Sequence, residues 1–298
     1  MNTVNEINRG IIRCFILSSV FIFFSCAKSH HRNTKNTLDE LEIKGSVKRL
    51  VETRSTIGSA GGDTIDFKDA VLKFSSMEQM DFNEQGFIVF KKYASEESEL
   101  NTSTKFYYND AGYEVAMMVR DVKGMPSDSQ AMNYDKNGKI LLNTCFRGNG
   151  NLYRKDEYIY NDKGQEKRVN IYGDDDKITF YCINEFNDAG LKIKTNNYFE
   201  DGAEPLNMWE YKYDADGKLV LERSVDPDGS IKLSRKYTYN KKGNLETEVE
   251  LSADITEKPD YSRFKYVYDE SGNWIKKIEY WRGNLIRIID RKMEYTDD

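Results

Sequence analysis

Few residues in this chain have the types and spacing to do chemistry. YDADG, residues 213–217, has the form of a cation loop, with Asp214 and Asp216 two apart. Calcium, however, needs six or more converging oxygens, and the related stretches NDAG, NDKG and NKKG elsewhere in the chain supply no equivalent set. The two histidines, His30 and His31, stand side by side in the polar stretch AKSHHRNTKNT without a cysteine or carboxylate cluster beside them. That context predicts a solvated tether rather than a metal site. Beyond it the chain contains no histidine, which excludes histidine triads, histidine-ligated zinc and the commonest general base. The glycine-rich IGSAGGDTID, residues 57–66, lacks the Gly-Lys-Ser/Thr of a phosphate loop. No pair among the many carboxylates is singled out for acid–base work. The expectation is a protein that is not an enzyme and holds no metal or cofactor.

YDADG has a simpler meaning, because the same phrase returns down the chain. Aligned on a glycine, the copies read MDFNEQG, FYYNDAG, MNYDKNG, YIYNDKG, NEFNDAG, YKYDADG, YTYNKKG and YVYDESG, with glycines at 86, 112, 138, 164, 190, 217, 243 and 272. Four residues before each glycine is an aromatic residue, and the next residue is Asn or Asp. An Asx side chain starts a turn by accepting a backbone hydrogen bond, and glycine supplies the positive φ that closes it. Asp214 and Asp216 thus read as turn residues. GDDDK (173–177) and DPDG (226–229) fall midway between glycines and read as the opposite hairpin ends. Each unit of about 26 residues then holds two strands, and fixed self-similarity of this kind marks a repeat architecture.

The composition agrees. Twenty Tyr and fifteen Phe against four Pro in 298 residues favour strands. The expected fold is all-β: a long antiparallel meander of sixteen to eighteen strands, forming a curled single sheet or an open barrel with its tyrosines inward. In YTYNKKGNLETEVEL, period-two alternation places Tyr237 and Tyr239 on one face before the turn. After it, Leu245, Val249 and Leu251 share a face, with Glu246, Glu248 and Glu250 opposite. Similar readings join Leu219, Leu221 and Val225, and Trp274, Ile278 and Tyr280, to give one apolar and one charged face. Residues 41–56 read as an opening strand. The last strand, NLIRIIDRKMEY, reads as an edge that is either guarded by its charges or open to a partner strand. Cys145 and Cys182 fall three strands apart, too far for a disulfide. A lipid-facing, porin-like use of the sheet is disfavoured by the frequent Lys, Arg and Glu on both faces.

The N-terminus carries an address. RGIIRCFILSSVFIFFSC sets Arg9 and Arg13 before a short apolar run that ends in FFSC. That ending resembles the lipobox of bacterial lipoproteins, which implies cleavage before Cys26 and lipidation of that cysteine. The implied organisation is a signal peptide over 1–25, a lipidated Cys26 with a flexible tether over 26–40, and a single hairpin-repeat domain over 41–298. The partner so implied is a membrane, reached through the lipid. Ala27 after the cysteine fits outer-membrane sorting by the enterobacterial rule.

Taken with the lipobox, the phrase Y-x-Y-[DN]-x-x-G resembles the YD repeat of Rhs-type proteins, in the form of lipoproteins common in Bacteroidota. The resemblance covers about residues 80–295 and implies a β-hairpin array on the cell envelope. It supplies no catalytic residue. With 44 basic and 50 acidic residues interspersed, nucleic acid is not an expected partner. Two readings of function stand out. One is a non-catalytic binding module for a glycan or another envelope component, with Trp209, Trp274 and Trp281 as candidate platforms and Trp281, out of phase with Trp274, the ring expected outside. The other is a structural protein that binds a protein partner through a sheet edge or a charged face.

Overall fold

A computed structural model describes residues 36–57, 72–96, 101–200, 202–252 and 259–296. The expected signal peptide, Cys26, the expected tether up to residue 35 and the glycine-rich loop from residue 58 onward lie outside the described residues. One turn of helix, α1 (Thr37–Glu40), is followed by eighteen strands. These are β1 (Val47–Ile57), β2 (Leu72–Phe82), β3 (Ile88–Ser95), β4 (Thr102–Tyr108), β5 (Glu114–Arg120), β6 (Pro126–Tyr134), β7 (Ile140–Arg147), β8 (Leu152–Tyr160) and β9 (Glu166–Tyr172). The second half comprises β10 (Ile178–Phe186), β11 (Lys192–Phe199), β12 (Asn207–Tyr213), β13 (Leu219–Val225), β14 (Ile231–Tyr239), β15 (Leu245–Ser252), β16 (Asp260–Tyr268), β17 (Trp274–Trp281) and β18 (Asn284–Tyr295).

Every strand pairs antiparallel with its neighbours in sequence, as the meander predicts, and β1 also pairs with β18. The sheet is therefore a closed barrel. The last strand is not an edge, since β18 lies between β17 and β1. The opening strand begins at Val47, and the residues before it are folded too. Leu38 of α1 is buried, and the Asn36 side chain caps the helix, so residues 36–40, expected at the end of the tether, are folded against the barrel.

The repeat phrase makes one kind of turn, always at the same end of the barrel. At YDADG, Asp214 Oδ1 accepts the backbone N–H groups of Asp216 (3.0 Å) and Lys218 (2.9 Å). Gly217, at φ 78°, donates its N–H to the Asp214 carbonyl. The midway turns lie at the opposite end, where Asp176, at φ 60°, takes the glycine position in GDDDK.

Just after each repeat turn the pairing slips. The signature aromatic faces the second residue after the glycine, and the third is left over as a bulge, as in Tyr213 against Leu219 and Lys212 against Leu221. The same slip occurs in all eight hairpins. A one-residue shift exchanges the faces of everything that follows. It overturns the expected division into an apolar and a charged face. Tyr237 stands beside Glu248, and Arg235 beside Glu250, while Val249 pairs with Lys236 on the other side. In β13, Leu219 keeps the face of Tyr213, but Leu221 lies opposite Lys212 and Lys236 on the outer one. In β17, Trp274 faces inward, whereas Ile278 and Tyr280 pair with Lys265 and Arg263.

The inner wall is the less exposed face, on which aromatic rings alternate with charged groups. Few of its side chains are fully buried. Among the described residues, a cluster of buried apolar side chains gathers where α1 packs, around Leu38, Ile43, Leu50, Met80, Phe82 and Ile88. Eighteen strands enclose more space than side chains can fill, and water reaches most of the wall. Outward-facing positions in mid-strand include Lys236, Arg263, Lys265, Glu210 and Lys212.

The bulge also explains why the signature residue is usually tyrosine. It takes the carbonyl of the second residue after the glycine out of the ladder, and the next repeat returns a donor to it. Tyr108 donates to Ile88, Tyr134 to Glu114, Tyr160 to Ile140, Tyr213 to Lys192 and Tyr239 to Leu219, all at 2.6–2.8 Å. Where the signature residue is Phe186, Asn184 Nδ2 reaches the Glu166 carbonyl instead, at 2.9 Å. In the longer last repeat, Tyr266 rather than Tyr268 donates to Leu245, at 2.9 Å. Tyr213→Phe and Asn184→Ala should each cost about 1 kcal/mol in urea unfolding, the usual net worth of such a bond. Gly217→Val should cost more than about 1 kcal/mol because of its positive φ. An unchanged midpoint in all three would refute this account of the turn.

Candidate functional site

The three tryptophans do not form one platform. Trp209 lies on the inner face of β12, beside Thr195 and Ser224. Trp274, on the inner face of β17, has the Arg291 guanidinium 3.4 Å above its ring and the Tyr266 ring at its edge. Trp281 shares the inner phase of β17, because the bulge restores its register with Trp274, and is exposed only because the strand ends there. Seven residues of strand separate it from Trp274, about 23 Å. Trp209 is five strands away, about 24 Å along the sheet.

The structure instead brings together charged groups that alternation had scattered. In β13–β15, Arg235 donates to Glu250 (2.6 Å) and Glu222 (3.0 Å) and lies 3.8 Å from Glu248, while the Tyr237 hydroxyl also donates to Glu222. Burial disfavours a charged Arg235, but its bonds to Glu250 and Glu222 hold its pKa above the ordinary guanidinium value. Burial, followed by the like charges of Glu250 and Glu222, raises the Glu248 carboxyl above its usual range against the pull of Arg235.

A second network crosses the seam of the barrel. Arg291 donates to Glu52 at 2.8 Å, and Arg54 reaches both Glu52 and Glu78, which also pairs with Lys91. A third lies on β7 and β8, where Arg154 donates to a buried Asp156 at 2.6 Å. The nearby Cys145 thiol is pushed up to about 11, chiefly by burial, which leaves it a poor nucleophile. Cys145 and Cys182 are both buried and lie three strands apart, with no disulfide between them.

One concavity connects the wall to the repeat-turn end. It measures about 360 Å³ and is lined by Glu42, Lys44, Lys218, Lys242, Asn244, Asn273, Trp274 and Arg291, with Gly243 and Gly272 at its rim. Its roof is the segment between α1 and β1. Buried Asn273 holds that segment down, accepting from the Lys44 N–H at 2.7 Å and donating to the Lys44 carbonyl at 2.9 Å. Lys218 Nζ donates to the Gly243 carbonyl at 2.9 Å, and Lys242 Nζ lies 3.9 Å above the Tyr268 ring. Of the three expected rings, only Trp274 lines this cavity. Sequence reading missed its lysines because Lys44 lies some 170 residues before Lys218 and meets it only when the barrel closes.

The sequence matches no protein-family model and no curated protein. Among solved structures, it is similar to a porin-like protein from Bacteroides uniformis at 9% identity and a TM-score of 0.43, covering 83% of this chain and 96% of that one. A porin-like protein from Bacteroides vulgatus gives 9% identity and a TM-score of 0.32 over 86% of this chain and all of that one. The TcdB2-TccC3 structure gives 10% identity and a TM-score of 0.35 over 82% of this chain but only 16% of that one.

Because its folded-state pKa is raised, the Glu248 carboxyl contributes most favourably when protonated, and that contribution is lost as pH rises through its folded pKa. Glu248→Gln should therefore raise the thermal midpoint at pH 7, and the gain should vanish near pH 4. A lower midpoint at pH 7 would show that Glu248 is held as a needed anion.

Proposed function

We propose that this chain is a lipid-anchored barrel of the cell envelope, built from YD-type repeats and sorted to the outer membrane, that acts as a non-catalytic binding module for a glycan or another envelope component. The observation that carries this reading is the cavity under the Lys44 segment, where a ring and several unlike polar groups converge on a concave, water-accessible end. The charged outer wall supports a barrel that stands in water and is held to the membrane by its lipid rather than spanning it. Cys26 stands ten residues before Asn36, so a lipid there would keep the repeat-turn end within about 35 Å of the bilayer. Closure removes the free edge that a strand-adding structural protein would use.

Cys26→Ala should move the protein from the membrane to the soluble fraction and abolish labelling with palmitate. Persistent membrane attachment without label would reject the anchor. The mature chain from residue 27, applied to an array of glycans and peptidoglycan fragments, should give a specific signal that falls with Trp274→Ala. A silent array, with a single envelope protein recovered by pull-down, would favour the structural reading.

A further inference from the structure

Four cations and one carboxylate line the cavity at the repeat-turn end: Lys44, Lys218, Lys242 and Arg291 against Glu42. Only Arg291 is neutralised, by Glu52 opposite it on the neighbouring strand. Among the described residues, no carboxylate lies within ion-pair distance of Lys44, Lys218 or Lys242, although the chain carries 50 acidic residues and pairs many of its other cations. Two of the ammonium groups are held by other means, and Lys44 is held by its backbone. Lys218 is bonded to a carbonyl and lies over the Tyr239 ring, Lys242 lies over Tyr268, and the backbone of Lys44 is clamped by Asn273.

Three like charges brought to one concavity repel one another, and no ion pair among the described residues offsets that cost, although Lys218 also serves the fold through its bond to the Gly243 carbonyl. Two of them lie against the glycine of a neighbouring repeat turn. A side chain at Gly243 would come within 2.5 Å of Lys218 Nζ, and one at Gly272 within 3.1 Å of Lys44 Nζ. The volume of about 360 Å³ lies at the small end of the range for ligand pockets, about 300–1,000 Å³.

We propose that this cavity binds a small ligand through a phosphate or carboxylate group, with Lys44, Lys218 and Lys242 supplying charge-assisted hydrogen bonds. The proposal rests on the binding-module reading and narrows it to an anionic ligand. Such a group could belong to a free sugar acid or phosphate, or to a lipid headgroup of the membrane that this end of the barrel faces.

The full chain in non-ionic micelles is titrated calorimetrically with glucose 6-phosphate and with dihexanoyl phosphatidylglycerol. Glucose and dihexanoyl phosphatidylcholine serve as the matched probes without net charge. Saturable binding of one anionic probe, with its matched probe silent, supports the proposal and identifies the source as a free phosphate or a headgroup. Lys44→Gln and Lys242→Gln should each weaken that binding at least tenfold. Neither side chain makes an ion pair in the fold, and Lys242 loses only its contact with the Tyr268 ring, so the thermal midpoints should change little. Equal binding of glucose and glucose 6-phosphate would overturn the anionic class while leaving a binding cavity. Binding that both lysine variants retain would overturn the site. Silence from both anionic probes would overturn the proposal, and only a silent glycan array as well would take the binding-module reading with it.

Discussion

A single backbone carbonyl per repeat, two residues after the turn glycine, governs much of this structure. The bulge beside it removes it from the sheet ladder, and a buried carbonyl without a donor would cost more than the bulge could return. The next hairpin supplies that donor from an inner-face side chain, so each repeat completes the one before it. The bond spans about 20 residues of sequence and joins two adjacent strands from successive hairpins, and it fixes the stagger between hairpins as well as their pairing. Asn184 and Tyr266 make the point, because where the signature position cannot serve, a side chain two residues earlier does. It is therefore the carbonyl, rather than the tyrosine, that must be satisfied.

The bulge sets the chemistry of the interior as well. By shifting the phase after every turn, it places Glu222, Glu248, Glu250 and Glu279 on the same wall as the tyrosines and Arg235. An eighteen-stranded ring leaves a lumen too wide for a dry core, so most of these groups stay partly exposed and pair at moderate cost, while Glu279 is buried between Lys277 and Arg287. A dry apolar interior would have demanded a narrower barrel. The sparse packing is offset by closure, which leaves none of the eighteen described strands as an edge, and by the core where α1 and the 41–46 segment fill the end beside the seam.

The repeat period, the turns and the number of strands are legible in the sequence because Asx and glycine act locally, within five residues. Face assignment was not, because alternation counted through Glu246 assumes an uninterrupted strand, and no residue type marks the third position after the glycine as a bulge. It is Val89 in one hairpin, Leu141 in another and Glu246 in a third. Closure was equally hidden. The charged, Ile-rich β18 reads as an edge until β1, more than 200 residues earlier, is laid against it.

The candidate site was legible only in part, for the same reason. Trp274 stands out as a ring. Lys44, Lys218 and Lys242 stand out as nothing, since lysines next to turn glycines are ordinary solvated residues when each hairpin is viewed alone. What changes their character is Asn273. It occupies the position after the last repeat glycine, where the other hairpins carry Phe, Tyr, Lys, Gln, Leu or Asn, and it holds the N-terminal segment across the ends of the turns. That clamp converts a rim of separate loops into a roofed concavity. A closed repeat barrel has no special repeat of its own, so its functional asymmetry has to come from the seam, where the non-repeating N-terminus meets the last turn.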